Sequence, residues 1–197
     1  MKREDLTELH YITPCLNVAS VLERGLLCHE LAGRFNHSSV ADEVVQRIRG
    51  RARVPNGLRL HEYVNLYINA RNAMMFKLVN NPNPPLCVLA VDLSVLDLAG
   101  VVIYDGNAAS DWSRPYPSPA GLAAIDKSIV FATYWTDPDR VQQAHKRRVT
   151  QAEILVPTSV DPTKVTRVYV PNDVSLKILA DTCPTLTTVK TPAMFFN

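Results

Sequence analysis

The sequence predicts an α+β fold: one domain over residues 1–197, with a central mixed β-sheet and helices mainly in the N-terminal half. Three observations carry that expectation. The run Leu86-Cys87-Val88-Leu89-Ala90-Val91 is continuously apolar and lies beyond a proline-rich turn, as a strand buried on both faces requires. Alternating, β-branched and aromatic runs recur at 63–68, 152–156 and 165–170. Helical spacing of apolar residues is clearest before residue 50. A chain of 197 residues, 47% hydrophobic and 20% charged, is long enough for one substantial core.

In chain order, Tyr11-Ile12-Thr13 reads as a strand end. Asn17 is placed to cap a helix over Val18–Arg24, with Val18, Val21 and Leu22 on its apolar side and Gly25 as its stop. Leu26-Leu27-Cys28 resumes an extended run. Ser39 is expected to cap a second helix reaching about Arg49, with Val40, Val44, Val45 and Ile48 inward. Pro55-Asn56-Gly57 marks a turn in the loop from Arg51 to Arg59. Tyr63–Ile68 is a strand, Asn80–Pro85 a turn, and Leu86–Val91 and Val101–Ile103 are strands. Asp105–Pro119 is a polar loop long enough to be functional. Strands are expected at Ile129–Tyr134, Ala152–Val156 and Val165–Val170, which makes the second half strand-dominated.

Composition excludes several classes. The formal net charge of +2 rules out a bulk polycation, although Arg47, Arg49, Arg51, Arg53 and Arg59 crowd one short segment. The 4 cysteines (Cys15, Cys28, Cys87, Cys183) have no zinc-type spacing and apolar neighbours, as in a reducing compartment. The charged N-terminus and the lack of any span of ~20 apolar residues point to a cytoplasmic protein. The chain contains no phosphate-binding glycine loop, no nucleophile elbow and no HExxH motif, and its 5 histidines are scattered; no metal is expected.

The chemistry concentrates on Glu153. In Thr150-Gln151-Ala152-Glu153-Ile154-Leu155-Val156-Pro157 it is the single acid on a strand, with Gln151 and Leu155 on its face and Ala152, Ile154 and Val156 on the other. A carboxylate there needs a partner, because desolvating an unpaired charge is costly. Two readings are open on the residues alone: a structural bridge to a buried arginine, or a catalytic carboxylate. The basic run His145-Lys146-Arg147-Arg148 just before it favours a site that meets phosphates.

Five segments, taken together and in order, are similar to the signatures of a known family. They are His10-Tyr11-Ile12-Thr13; Gly25-Leu26-Leu27; Ser39-Val40-Ala41 continuing into Val45-Gln46-Arg47-Ile48-Arg49; Leu60-His61-Glu62-Tyr63-Val64 with Tyr67 and Arg71-Asn72-Ala73-Met74; and Gln151-Ala152-Glu153-Ile154-Leu155-Val156. The chain resembles the DarT toxins, NAD-dependent ADP-ribosyltransferases that modify bases of single-stranded DNA. It departs from them twice. Tyr11 stands where the family has a histidine, with His10 one place earlier. Ile48 stands at the first arginine of the family's pair, with Arg49 matching the second and Arg47 flanking.

The resemblance implies a single ADP-ribosyltransferase-like domain that transfers ADP-ribose from NAD to thymine or guanine of single-stranded DNA, as the toxin of a toxin–antitoxin pair. Glu153 and Arg49 are then the catalytic candidates, with Arg47 as the alternative arginine. His10, Tyr11, Thr13, Asn17, Gly25, Leu27 and Tyr67 are candidates for the NAD side, Tyr11 and Tyr67 as rings that flank the nicotinamide. Arg47, Arg51, Arg53, His61, Met74, Lys146, Arg147 and Arg148 are candidates for the nucleic acid, with Trp112 or Trp135 for base stacking. The implied partner is an antitoxin that removes ADP-ribose, of macrodomain or similar type. The competing classes are an RNA-directed transferase, a nuclease toxin without NAD, and a noncatalytic nucleic-acid-binding domain.

Overall fold

A computed structural model describes residues 1–81 and 83–197. The expected Asn80–Pro85 turn includes Pro82, which lies outside them. Among the described residues the chain forms ten strands: β1 (Leu9–Pro14), β2 (Leu26–Leu27), β3 (Tyr63–Tyr67), β4 (Leu86–Val91), β5 (Val102–Tyr104), β6 (Pro115–Pro117), β7 (Glu153–Pro157), β8 (Ser159–Val160), β9 (Val165–Val170) and β10 (Thr188–Lys190). Eight of them form one sheet in the order β10-β9-β4-β1-β3-β7-β5-β6, and β2 pairs with β8 separately. The sheet is mixed: β10 runs parallel to β9, and the other neighbours are antiparallel.

The apolar run at 86–91 became an inner strand because all of its residues are buried. One face of the sheet carries the main core, including Leu9, Leu66, Leu89, Ile154 and Val168. The opposite face carries two smaller clusters, one around Ile12, Tyr67, Val88 and Phe195, the other around Tyr63, Tyr104 and Leu155. The period-2 alternation of β7 therefore separates Ile154 and Val156 from Leu155 as expected.

The helices are α1 (Val18–Arg24), α2 (His29–Ala32), α3 (Glu43–Arg51), α4 (Ala73–Val79), α5 (Lys127–Val130), α6 (Arg140–Val149) and α7 (Asp173–Thr182). Several differ from expectation. Ser39 does not start α3; its hydroxyl accepts from the Ala41 amide, and Asp42 caps the helix by accepting from the Val44 and Val45 amides. A carboxylate at that position also complements the positive end of the helix. Asn17 precedes α1 but makes no side-chain cap bond. Ile129–Tyr134 is not a strand: Asp126 caps the short helix α5, which takes up its first residues. The two longest helices, α6 and α7, each of 10 residues, lie in the second half, so helices are not confined to the first. All four cysteines are free and buried.

Gly25 has a structural task. Its φ is +82°, and a Cβ there would stand 2.2 Å from the carbonyl oxygen of Val160, where the backbone passes close to β8. No helix among the described residues is long and apolar enough to cross a membrane.

Candidate active site

β1 and β3 pair only at His10 and Tyr67 and then part. A cleft of about 470 Å³ opens in that divergence. It meets the strands along their edges, so consecutive residues reach it: Tyr11, Ile12 and Thr13 from β1, and Tyr63, Val64, Asn65 and Tyr67 from β3. The segment 37–41 with α3 supplies one wall, and Ala73, Met74 and Lys77 of α4 another. An ion pair between Asp42 and Lys77 links these walls.

Glu153 is 0% exposed at the base of the cleft. Its cross-strand neighbours are Tyr67 on β3 and Tyr104 on β5, which place two rings on its face. Its partner is Arg49, 4% exposed, whose Nη1 donates to Glu153 Oε2 at 3.0 Å. Residues two apart on a helix are about 200° apart around its axis, so Arg49 turns inward while Arg47 and Arg51 are exposed. Ile48, at the family's first arginine position, is 47% exposed. Arg49 is thus the arginine brought to Glu153.

The pair is incompletely satisfied. Arg49 Nη2 and Glu153 Oε1 are both buried and have no hydrogen-bond partner. One donor and one acceptor therefore remain available on a pair that lines the cleft, an arrangement that stabilises little by itself and suits a polar ligand. Burial works against the charge on Arg49, but the charge and hydrogen bond of Glu153 outweigh it and hold the guanidinium above its ordinary pKa. Burial, reinforced by the charge of Glu153, pushes the Tyr67 phenol far up, and burial alone raises that of Tyr11. Both rings stay neutral at any physiological pH. The Tyr67 hydroxyl donates to Met74 Sδ at 3.1 Å.

The other NAD-side candidates divide. Thr13, Asn17 and Leu27 line the cleft with Tyr11 and Tyr67. Asn17 acts as a clamp: its Nδ2 donates to Thr13 Oγ1 (3.1 Å) and to the Ser38 carbonyl (2.8 Å), and its Oδ1 accepts from the Ser38 amide (3.0 Å). It fixes the 37–41 wall to the end of β1. His10 and Gly25 are absent from the lining. His10 sits beside the Ile68 carbonyl (Nδ1, 3.1 Å) and Glu8 (Nε2, 3.4 Å), and Gly25 packs against Val160. The contacts of these two therefore lie outside the cleft lining.

Among the nucleic-acid candidates, His61, Met74 and Arg147 reach the cleft. Lys146 is engaged with Asp137 (2.7 Å) and Arg148 with Asp105 (2.7 Å), so these two brace the fold. Arg53 donates to the carbonyl of Gly57 in its own turn (2.9 Å). Arg47 and Arg51 form no ion pair among the described residues and stay outside the cleft. Trp112 is 79% exposed, whereas Trp135 packs edge-to-face on Phe76.

Sequence reasoning did not single out His29, Gln46 or Asn65 as parts of the cleft. His29 stacks near His61 (ring centroids 4.1 Å apart), and His61 Nε2 lies 3.0 Å from Gln46 Oε1. Burial, the neighbouring imidazole charges and Arg49 hold both histidines below their ordinary pKa. The one signal for Asn65 is its polarity inside an otherwise apolar alternation. Among the described residues, no group of three or more His, Cys, Asp or Glu is placed to hold a metal ion.

Comparison with known proteins follows the same outline. A family model described as "ssDNA thymidine ADP-ribosyltransferase, DarT" matches residues 10–193. A DNA ADP-ribosyl transferase-DNA ADP-ribosyl glycohydrolase fusion protein of Thermosipho africanus is 33% identical over 169 residues, which covers 83% of this chain and 42% of the relative. The structure of Thermosipho africanus DarTG in complex with ADP-ribose superposes with a TM-score of 0.82 at 29% identity, covering 96% of this chain and 51% of that one. Thermus sp. 2.9 DarT in complex with ADP-ribosylated ssDNA gives a TM-score of 0.82 at 25% identity, covering 99% and 100% of the two chains. The chain thus spans less than half the length of the fusion relative.

Proposed function

Because the chain belongs to the DarT family of single-stranded DNA thymidine ADP-ribosyltransferases, we propose that it transfers ADP-ribose from NAD to a base of single-stranded DNA, thymine first among them. The observation that carries this reading is the buried Arg49–Glu153 pair with one free donor and one free acceptor on a cleft of about 470 Å³. A solved relative in complex with ADP-ribose and another with ADP-ribosylated ssDNA support the donor and the acceptor.

When bound, NAD supplies the ribose whose glycosidic bond breaks: nicotinamide leaves with the bonding pair, the ribose carbon bonds a base nitrogen, and that nitrogen gives up its proton. The residues of the cleft fit those demands. Glu153 Oε1 accepts from a ribose hydroxyl, and the carboxylate stabilises positive charge that develops on the ribose. The same oxygen is the base nearest to hand for the departing proton. Arg49 holds that carboxylate in place, and offers Nη2 to a pyrophosphate or a base carbonyl. Tyr67 and Tyr11, held neutral, present flat rings to the nicotinamide. Arg147 meets a phosphate of the incoming strand.

In this reading residues 1–197 act as one ADP-ribosyltransferase-like domain working on DNA in the cytoplasm. Its counterpart is an ADP-ribose-removing antitoxin, of the kind named in the glycohydrolase half of the fusion relative. The test is incubation with NAD and a matched set of acceptors, namely single-stranded DNA, the same sequence as RNA, and duplex DNA, read by mass spectrometry. The expected result is a gain of one ADP-ribose on single-stranded DNA alone. A gain on RNA alone would reassign the acceptor, and no gain on any acceptor would remove the proposal.

A further inference from the structure

Beside the cleft lies a second depression of about 400 Å³ that shares Ala73, Lys77, Asn81 and Arg147 with it, so the two are continuous. Two of its lining residues, Phe76 and Trp135, are rings, and Phe196 from the C-terminal segment packs against both of them. Phe76 of α4, Trp135 and Phe196 pack mutually edge-to-face, with centroids 5.2 Å apart for Phe76–Phe196 and 5.8 Å for each ring against Trp135. Phe76 is 47% exposed, and Trp135 and Phe196 are half-buried. The guanidinium of Arg71 lies 3.9 Å from the centroid of Phe196 and donates to the carbonyl of Ala193. Arg147 stands at the junction of the two depressions, exposed and without an ion pair among the described residues.

A purely structural cluster would not need this arrangement. Phe195, at 0% exposure, already anchors the last segment in the core, with Ile12, Met75 and Val88 in its cluster. The neighbouring rings are surplus to that anchoring and keep apolar surface in contact with water. Apolar ring surface next to a cation with no ion pair among the described residues, continuous with the cleft proposed for the reacting base, matches the chemistry of a nucleobase and its phosphate.

We infer that Phe76 and Trp135, held in place by Phe196, form a stacking subsite for the nucleobase next to the one being modified, with Arg147 on the intervening phosphate. The subsite rests on the acceptor reading above. It explains how a strand can present one base to Glu153: its neighbour is held on the rings, which offsets part of the cost of unstacking the target.

The experiment compares the KM for a single-stranded oligonucleotide between wild type, Trp135→Leu and Phe76→Leu, each with a normal oligonucleotide and with one that is abasic on either side of the target. Trp112→Phe provides a background in which fluorescence reports Trp135 alone. Each substitution is expected to raise KM about tenfold, with a smaller change in kcat. The abasic flank should cause the same loss in wild type and little further loss in Trp135→Leu, and the normal oligonucleotide should quench Trp135. Additive losses, an unchanged KM, or a lowered melting temperature with normal KM and no quenching would overturn the subsite and make the cluster a packing element only. Absence of transfer by wild type is a separate outcome that removes the acceptor reading itself, and the subsite with it.

Discussion

Two short basic runs flank the site, and they are used in opposite ways. In α3, Arg47, Arg49 and Arg51 alternate with other residues, so the helix turns Arg49 into the protein and leaves the outer two in solvent. At the end of α6, Lys146, Arg147 and Arg148 are consecutive. There the outer two are tied to Asp137 and Asp105, and the middle one stays exposed at the cleft. Each run sends one cation to the cleft. The first is a buried charge whose value depends on Glu153; the second is a solvated charge suited to a passing phosphate. Density of charge along a sequence therefore says little about its use until helical phase and acidic partners are known.

The comparison breaks most visibly at Arg49. Arg49→Ala should abolish transfer and cost about 3–5 kcal/mol of stability, because Glu153 is left buried without a partner; Arg47→Ala should stay within about 0.5 kcal/mol of wild type. Denaturant unfolding and product mass measure both. The double variant Arg49→Met with Glu153→Leu should regain much of the lost stability and remain inactive. An active double variant would reduce the pair to a structural bridge.

A smaller effect separates the residues of the second run. Arg147→Ala should weaken oligonucleotide binding and flatten the log–log dependence of affinity on salt by about 0.7. Arg148→Ala should leave that slope alone and cost about 1 kcal/mol through its ion pair with Asp105. If the two slopes change equally, the run acts as one patch. Charge reversal at Arg47 and Arg51 extends the same test to α3: a change in slope would bring the solvated side of that helix into the acceptor path, and no change would leave it outside.

The mildest effect is on pH. His29 and His61 titrate below their ordinary value in the folded protein, so between that lowered value and the unfolded one the unfolded chain binds more protons. Stability should consequently fall as pH drops below about 6.5 and level off once the folded sites are protonated. Melting curves across pH 5–8 for wild type and His29→Gln check this, with a shallower dependence expected in the variant.

The strands were legible because their residues are buried in the sense that their patterns announce: β4 continuously apolar, β7 apolar around a single acid. Glu153 was legible for the same reason. The start of α3 was not, because Ser39 and Asp42 are both good capping residues and only the packing of 37–41 against Asn17 decides between them. Ile129 and Val130 read as strand residues by β-propensity, but Asp126 caps a helical turn there and tertiary context overrides the preference. α6 offers almost no apolar stripe, with Val141 at 74% exposure, so periodicity could not reveal it. The aromatic cluster joins residues 76, 135 and 196, a proximity that no local pattern encodes.

In the proposed function, ADP-ribose is transferred at the Arg49–Glu153 pair at the base of the cleft. Glu153→Gln keeps the shape of the side chain and removes its charge. The decisive measurement is the mass of a single-stranded oligonucleotide after incubation with NAD and either wild type or this variant, with NAD-induced stabilisation recorded on the same samples. One added ADP-ribose is expected with wild type, and none with the variant even where NAD still stabilises it. Modification by Glu153→Gln at the wild-type rate would place the chemistry away from this carboxylate.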